Sequence, residues 1–203
     1  MPRPKKTTIQ LETMRAQILD TALAILQESG PEAITSRAIA ERMGVAHMSL
    51  YTYFENQAAI LRALSQREME KWQVQQQLFD QRAVTEDLLR VVDDLLRFFI
   101  TFARENPNLY RMAWVMPEVG GESPEESRQR MQTTVGQLAA LLQKGMESGV
   151  FAPRNPFLAA GTVLGMVNMP YILFHSGKMV DPALRDQMVE EVLSAAFGYL
   201  KRK

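Results

Sequence analysis

Apolar residues recur at intervals of three and four along nearly the whole of this 203-residue chain. Such intervals place side chains on one face of an α-helix, whereas long stretches of strict alternation, typical of strands, do not occur. The helical stretches are separated by a repeated signal, a small polar residue followed by proline, at 106–107, 123–124, 155–156 and 181–182. The polar side chain can cap a helix start, and proline suits the first turn because no N–H is needed there. The chain is therefore predicted to be all-α.

Periodicity and caps together predict nine helices, separated by short breaks. They cover residues 9–29, 36–43, 47–53, 57–78, 85–105, 107–116, 124–148, 156–176 and 182–201. Ser123, with Glu126 three residues later, predicts a capping box at one of these starts. Because the first helices are short and the later ones long, we expect a small N-terminal unit over 1–54 and a larger helical unit over 55–203.

Charge and cysteine content exclude several classes of protein. Cysteine is absent, which excludes a disulfide framework and thiolate metal sites. The 23 basic residues balance the 23 acidic ones, so the chain is not wholly devoted to nucleic acid, and any such binding must be local. Concentrated positive charge lies in an arm over 1–8, with Arg3, Lys5 and Lys6. No apolar run follows this arm, so we expect no secretory signal and a cytoplasmic location.

The segment from Ala40 to Phe54, AERMGVAHMSLYTYF, has two interpretations. Gly44 suits the left-handed conformation that turns a chain sharply between two helices, and Leu50 and Phe54 form an inward-facing pair after it. The remaining face is polar and aromatic, although so short a helix gains little stability from packing. Either this helix caps a core, or it is the second helix of a helix-turn-helix that enters the major groove of DNA.

The run from Arg15 to Leu64 resembles the N-terminal DNA-binding domain of TetR/AcrR-family transcription regulators. The matching positions are Ile18-Leu19, Ala22, Gly30, Thr35, Ile39-Ala40, Gly44-Val45, Leu50-Tyr51, Tyr53-Phe54 and Ile60-Leu61. The resemblance implies an all-α fold with an N-terminal three-helix helix-turn-helix domain and a larger C-terminal domain for ligand binding and dimerisation. It also implies a sequence-specific homodimeric repressor that binds a double-stranded DNA operator and responds to a ligand.

The same resemblance implies which residues contact DNA. Thr35, Ser36 and Arg37 would face the phosphate backbone at the start of the second helix. The deepest positions in the groove would be Ala46, His47, Met48 and Ser49, and those that hold phosphates at its rim would be Tyr51, Thr52 and Tyr53. Lys5 and Lys6, with Arg3, would trail across the backbone or into the minor groove. His47 either bonds a guanine acceptor or a phosphate, or has no role.

Two positions depart from the family's pattern. Ala46 stands where the family often has serine, so the third helix loses a side-chain cap worth about 1 kcal/mol. Gln57 stands where the family usually has lysine, which replaces a phosphate-binding cation by a neutral amide. Both changes predict a lower affinity for DNA.

The C-terminal part is rich in aromatic residues and methionine. Methionine is frequent at adaptable binding surfaces, and the chain has 13. These aromatic and methionine residues either form plain core or line a cavity for a small hydrophobic or amphipathic ligand, with Asn168 or His175 as its polar contact. The residues predicted to line that cavity are Phe102, Tyr110, Trp114, Met166, Asn168, Met169, Phe174 and His175.

Residues 157–177 contain no charged side chain, and this stretch is long enough to span a bilayer. Asn168, Pro170 and His175 interrupt the stretch and no basic cluster flanks it, which favours a buried helix of a soluble protein. We expect the last helix and a second subunit to cover it in a two-fold, four-helix interface. The interface is predicted to use Gly161, Gly165, Met188, Val192, Ala195, Ala196 and Tyr199.

The alternative to a regulator is an enzyme or ligand carrier built on a helical bundle. The two histidines, His47 and His175, fall in different predicted units, and no histidine–carboxylate pattern has metal-ligand spacing. A glycine-rich phosphate loop is also missing from the sequence. We therefore expect no catalytic activity, no cofactor and no metal.

Overall fold

The computed structural model describes residues 7–116 and 121–201, except for the side chains of residues 72, 73 and 76. Within these ranges the chain forms helices and no strand, which confirms the all-α prediction. The α-helices are α1 (Thr8–Ser29), α2 (Ser36–Met43), α3 (Gln57–Thr85), α4 (Leu88–Glu105), α5 (Pro107–Tyr110), α6 (Pro124–Glu147), α7 (Pro156–His175) and α8 (Pro182–Lys201). Shorter pieces are 3₁₀ helices at Pro31–Ala33 and His47–Thr52 and a π-helical turn at Arg111–Val115.

Most of the predicted helix caps are present. Ser123 and Glu126 form the capping box, and Asn155 accepts a hydrogen bond from the N–H of Leu158 at 3.0 Å. At Asp181 the carboxylate accepts from the N–H of Ala183 at 2.8 Å. Asn106 does not cap α5: its amide donates to the carbonyl of Phe102 at 3.3 Å. Because this one residue separates α4 from α5, its side chain turns back to the last turn of α4, where the same carbonyl also accepts the backbone N–H of Asn106 at 2.9 Å.

Three of the predicted helices differ from those observed. The third is a six-residue 3₁₀ helix, a geometry common in pieces too short for a stable α-helix. The fourth, α3, continues beyond residue 78 to Thr85. The segment predicted as one helix over 107–116 is instead α5 followed directly by the π-helical turn.

The N-terminal core joins parts of the chain that are far apart in sequence. It is built from α1, α2 and the 3₁₀ helix, and it continues into α3 with Ile60, Leu61 and Leu64. Leu109 and Met112 also pack into it. The boundary expected after Phe54 therefore passes through this cluster, and we term residues 7–64 the head.

The C-terminal core lies between α4, α6, α7 and α8, which we term the body. α7 is at its centre, with Val163, Val167 and Tyr171 buried. Among the described helices it is the one long and apolar enough to cross a membrane, judged by length and composition alone. The opposite side of α7, with Leu158, Gly161 and Gly165, is exposed. The helix is thus apolar all round but covered on one side.

Candidate nucleic-acid interface

A tight turn links α2 to the 3₁₀ helix His47–Thr52. Gly44 adopts φ 66° and ψ 30°, as predicted, and among the described residues no atom beyond its two chain neighbours lies within 4 Å of the position that a Cβ would take. The backbone conformation, rather than lack of space, therefore selects glycine. The N–H of Val45 donates to the carbonyl of Ala40 at 3.0 Å, closing the turn. At the other end of α2, the hydroxyl of Thr35 accepts from the N–H of Ala38 at 3.1 Å.

The 3₁₀ helix is anchored by the predicted inward pair. Leu50 and Phe54 are 1% and 4% exposed within the N-terminal core. The Arg15 guanidinium lies 4.6 Å from the centre of the Phe54 ring and covers its outer side. Ala46 supplies no side-chain cap to the 3₁₀ helix, as expected. The helix therefore begins without a side-chain cap, and its apolar side packs into the N-terminal core.

The opposite side of the 3₁₀ helix faces solvent at several predicted DNA-contact positions. Met48 is 71% exposed, and Ala46 and Thr52 are exposed as well. The other predicted positions in this helix, His47, Ser49, Tyr51 and the adjoining Tyr53, are half-buried. Thr35 and Arg37 are exposed at the start of α2. These side chains form one continuous polar and apolar face that belongs to α2, the turn and the 3₁₀ helix.

Ser36 and Gln57 are placed differently from the expectation. Ser36 is 6% exposed, and its hydroxyl lies 2.9 Å from His47 Nε2 and 3.1 Å from the Tyr51 hydroxyl. The Gln57 amide accepts from the N–H of Ser36 at 3.3 Å and donates to the carbonyl of Ile34 at 3.1 Å. The prediction that the Ser36 side chain faces phosphate is wrong, because its hydroxyl is used inside the head. The Gln57 side chain likewise makes its hydrogen bonds within the head in this conformation.

Positive charge on this face is sparse. Arg37 is exposed, whereas the nearby Arg42 makes two hydrogen bonds of 2.5 and 2.6 Å to the Glu28 carboxylate. This pairing lowers the pKa of Glu28 and raises that of Arg42. Arg3, Lys5 and Lys6 lie outside the described residues, so their predicted part in DNA binding stays a prediction.

The residues predicted to bind a ligand separate into a buried cluster and exposed positions. Tyr110, 0% exposed, donates its hydroxyl to Asn168 Oδ1 at 2.8 Å, and burial raises the pKa of this phenol. The His175 ring is tilted by 45° to that of Tyr110, with centres 5.2 Å apart, and bonds the carbonyl of Ala103 at 3.2 Å. Burial lowers the pKa of His175. Trp114 stacks on Tyr110, at 6.4 Å between ring centres.

The other predicted ligand contacts have different surroundings. Phe102 packs against both cores, and Met166 packs against the C-terminal one. Phe174 lies under the Arg185 guanidinium at 4.5 Å, and Met169 is 46% exposed. Met169 therefore faces away from the buried cluster and does not complete a single site with it.

A cavity of about 580 Å³ lies between α3 and α6, and none of the eight predicted residues lines it. Its walls include Arg62, Met69 and Glu70 from α3, and Glu126 and Arg130 from α6. We term this space the α3/α6 cavity. Sequence reasoning missed it because its walls are polar and come from helices far apart in the chain. The periodicity of either helix alone signals only a solvated face.

The inner wall of the α3/α6 cavity adjoins the aromatic cluster. Arg130 pairs with Glu122 through a 2.8 Å contact and donates to the carbonyl of Ala113 at 2.6 Å. Its guanidinium also lies 4.9 Å from the centre of the Trp114 ring. On the outer side, Arg62 of α3 lies 3.5 Å from the Glu126 carboxylate of α6. Charged side chains of both signs therefore line the cavity, and one pair, Arg62 and Glu126, joins α3 to α6.

The predicted dimer positions also divide. Gly161, Gly165 and Ala195 are exposed, and Met188 and Val192 are half-buried. Ala196 is fully buried in the C-terminal core of its own chain, and the Arg154 guanidinium covers the Tyr199 ring at 4.3 Å. The expectation that Ala196 contacts a partner is wrong, because one turn of α8 cannot direct this position both inward and outward.

Comparison with known proteins agrees with this arrangement. Residues 18–64 match the bacterial regulatory proteins of the tetR family, and residues 84–192 match the tetracyclin repressor-like C-terminal domain. The chain belongs to the TetR family. The first region ends at residue 64, where the head ends, and the second begins before α4 and ends within α8.

Individual relatives show how far the similarity extends. The chain is 42% identical over 52 residues to the tetracycline repressor protein class C of Escherichia coli, a match that covers 26% of this chain and 24% of that repressor. It spans about half the length of other curated relatives that it matches. These matches thus cover from about a quarter to just over half of this chain.

Solved structures share the fold over nearly the whole chain. A TetR-family transcriptional regulator from Pectobacterium atrosepticum superposes with a TM-score of 0.74 at 20% identity, over 97% of this chain and 99% of that one. The regulator FadR from Bacillus subtilis, solved in complex with stearoyl-CoA, gives a TM-score of 0.67 at 18% identity, over 88% and 97% of the two chains. The body therefore keeps the family's architecture although its sequence has diverged.

Proposed function

We propose that this TetR-family chain is a ligand-responsive repressor that binds a double-stranded DNA operator as a homodimer. The observation that carries the proposal is the head: a glycine turn between α2 and a short helix that is seated by Leu50 and exposes Met48. A helix presented in this way fits the major groove, where its side chains reach base edges. Thr35, Arg37 and Thr52 support it as exposed residues in reach of phosphates. We propose no catalytic role.

Binding to DNA is tested by fluorescence anisotropy of the purified protein on labelled DNA. The sequence is selected from a random library with the protein itself, and a shuffled duplex is the control. We expect tighter binding to the selected sequence at moderate salt. Equal affinity for the two duplexes would refute sequence-specific binding.

The division between phosphate and base contacts is tested with substitutions. Arg37→Ala should weaken binding to every sequence and reduce the slope of log affinity against log salt by about 1. Arg90→Ala removes an equally exposed guanidinium on α4 and should leave the slope unchanged. Met48→Ala should instead alter which sequence the library yields. A salt slope that is the same in Arg37→Ala and the unsubstituted protein would contradict the phosphate assignment.

Dimerisation is proposed through the outer side of α7, with α8 beside it. Leu158 is 66% exposed and Phe157 49%, in a helix that has no charged side chain. No atom of the chain's described residues lies within 4 Å of a Cβ built at Gly161 or Gly165, so another helix can approach there. Two-fold symmetry would place two heads on half-sites one helical turn of DNA apart, roughly 34 Å, or a multiple of it.

The test of the dimer is mass by light scattering during gel filtration. Leu158→Glu places charge in the proposed interface and should give monomers. Val84→Glu makes a similar change at an exposed position near the end of α3, outside α7 and α8, and should leave the dimer intact. A dimer that survives Leu158→Glu would refute this interface.

The effector is proposed to bind in the α3/α6 cavity. Its volume suits a small molecule, and its walls offer both carboxylates and guanidinium groups beside the methyl of Met69. The buried aromatic cluster is a weaker candidate because the Tyr110 hydroxyl already donates its hydrogen bond to the Asn168 amide oxygen. We therefore favour a polar or amphipathic effector with a charged group over a purely hydrophobic one.

α3 connects the proposed effector site to the head. α3 lines the cavity with Arg62 and contributes Ile60 and Leu64 to the N-terminal core. A molecule that separates Arg62 from Glu126 would shift α3, and with it the spacing of two heads in a dimer. Trp114 lies behind Arg130, so its fluorescence reports on the cavity once the other tryptophan, Trp72, is replaced by phenylalanine. Compounds that change this fluorescence should lose their effect in Thr134→Phe, which places a ring in the cavity. Persistence of the effect would place their site elsewhere.

A further inference from the structure

The buried hydroxyl of Ser36 joins two side chains that were predicted to read DNA. Its oxygen lies 2.9 Å from His47 Nε2 and 3.1 Å from the Tyr51 hydroxyl, and that hydroxyl is 3.4 Å from the same ring nitrogen. The His47 and Tyr51 rings meet edge to face with centres 5.4 Å apart. With three groups this close, the position of each hydrogen depends on the other two.

The neutral arrangements differ in which ring nitrogen of His47 carries the hydrogen. In the first, Tyr51 donates to Ser36, Ser36 donates to Nε2 of His47, and the imidazole carries its hydrogen on Nδ1. In the second, Nε2 carries the hydrogen and donates to Ser36, and either hydroxyl donates to the other, so the hydrogen of one hydroxyl leaves the network. The first runs from the most acidic hydroxyl to the most basic acceptor, the direction in which successive hydrogen bonds strengthen one another. It is therefore the favoured arrangement.

Gln57 holds Ser36 in place for this role. Its amide oxygen accepts from the Ser36 N–H while its amide nitrogen donates to the carbonyl of Ile34. A lysine at this position has three donors and no acceptor, so it could not receive the Ser36 N–H. The departure from the family's usual lysine thus creates the junction that fixes Ser36 against His47.

We propose that Ser36 is a positioning residue that keeps His47 in its Nδ1-protonated tautomer and thereby directs a hydrogen-bond donor to a purine N7. The ring nitrogen outside the network, Nδ1, then presents that donor to the major groove. Purine N7, guanine O6 and thymine O4 are acceptors there, and of these N7 is present in every base pair, whereas the exocyclic amines of cytosine and adenine are donors. A histidine whose Nδ1 lacked hydrogen would prefer those amines instead. The inference rests on the proposed binding of DNA.

The tautomer is measured on the free protein by ¹⁵N NMR, at about pH 8.5, where an ordinary imidazole is neutral. The sequence has two histidines, and His175→Gln identifies the signals of His47. We expect the Nδ1-protonated pattern in the unsubstituted protein and a shift toward the Nε2-protonated form, which free imidazole side chains prefer, in Ser36→Ala. An Nε2-protonated His47 in the unsubstituted protein would overturn the proposal.

The consequence for DNA is measured with 7-deazapurines, which lack the N7 acceptor. Each purine of the selected duplex is replaced in turn. The unsubstituted protein should lose roughly threefold to tenfold in affinity at one purine, as expected for a single hydrogen bond. Ser36→Ala should bind the parent duplex less tightly and show no loss at that purine, whereas Ser148→Ala, which removes a serine hydroxyl far from the head, should keep the loss.

Further variants separate positioning from folding. Ser36→Thr keeps the hydroxyl and should restore the sensitivity to 7-deazapurine, and circular dichroism checks that each variant is folded. Sensitivity that persists in Ser36→Ala, or that is absent at every purine in the unsubstituted protein, would overturn the proposal. If the library yields no preferred sequence, the proposed DNA binding fails instead, and the NMR experiment still decides the tautomer.

Discussion

Two glycines in the same helix, Gly136 and Gly145 of α6, should respond oppositely to replacement by alanine. A Cβ at Gly145 would lie 2.2 Å from Cδ2 and 2.5 Å from Cε2 of the Phe151 ring. Phe151 is 2% exposed, so its ring is surrounded by core and cannot swing into solvent. At Gly136 no described atom lies within 4 Å of the Cβ position. The two sites share a helical backbone and differ in the space available.

The magnitudes follow from this difference. Alanine in a helix interior is favoured over glycine by about 0.5–1 kcal/mol, a gain common to both sites. Gly136→Ala should therefore raise the free energy of unfolding by that amount. At Gly145 the gain is opposed by overpacking, which costs roughly 1–3 kcal/mol when a well-packed core has to shift. Contacts this short place the cost near the upper end, so we expect Gly145→Ala to be less stable than Gly136→Ala by about 2–3 kcal/mol.

The assay is urea unfolding followed by circular dichroism, with both variants at the same protein concentration because dimerisation would couple stability to concentration. For a chain of this size, each kcal/mol corresponds to roughly 2–4 °C in melting temperature, so thermal unfolding provides a second measurement. The comparison cancels the helix propensity of alanine and isolates the contact with Phe151. Equal stability of the two variants, or a more stable Gly145→Ala, would refute the argument that the ring is fixed.

Three further predictions concern a hydrogen bond, a cap and pH. Tyr110→Phe leaves the buried Asn168 oxygen without its donor and should lower the free energy of unfolding by about 1–3 kcal/mol, and adding Asn168→Leu should recover part of that loss in the same urea assay. Ala46→Ser should stabilise the protein by about 0.5–1 kcal/mol by capping the 3₁₀ helix, and no gain in melting temperature would show that no backbone N–H is in reach. Burial lowers the pKa of His175 below its value in the unfolded chain, near 6.5. As pH falls, the unfolded chain therefore binds a proton at this residue before the folded protein does. The stabilisation from the neutral ring is complete above about pH 6.5 and is lost as pH falls. His175→Phe should therefore show a shallower decline in stability from about pH 7.5 to 5.5, and an unchanged slope would assign the decline to other groups.

The parts of the fold that sequence predicted are those with local causes. Gly44, Thr35 and the capping box at Ser123 depend on residues within a few positions of one another, and all are present. The end of α3 was placed too early, although Phe79 and Ala83, four residues apart, continue its apolar side and pack against the C-terminal core. Asn106 was misjudged because one residue had to end α4 and begin α5, a conflict that appears only once both helices are placed.

The candidate site was predicted in outline because the face of a short helix follows from its own periodicity. What the sequence could not show is which polar side chain on that face meets another. Ser36 and Tyr51 are 15 residues apart, and their hydroxyls meet only because the Gly44 turn folds one helix against the other. The α3/α6 cavity was missed for the same reason, since no pattern within α3 reports what stands opposite it.

Leu109 and Met112 lie in the N-terminal core although they belong to the segment between α4 and α6. A recombination event that exchanged heads between relatives at residue 54 or 64 would pack the incoming head against side chains at these two positions that come from the other parent. Evolution can therefore change the DNA target of this chain more readily by substitutions on the exposed face than by exchange of the head as a cassette. An engineered chimera should carry 107–112 together with the head from the same parent.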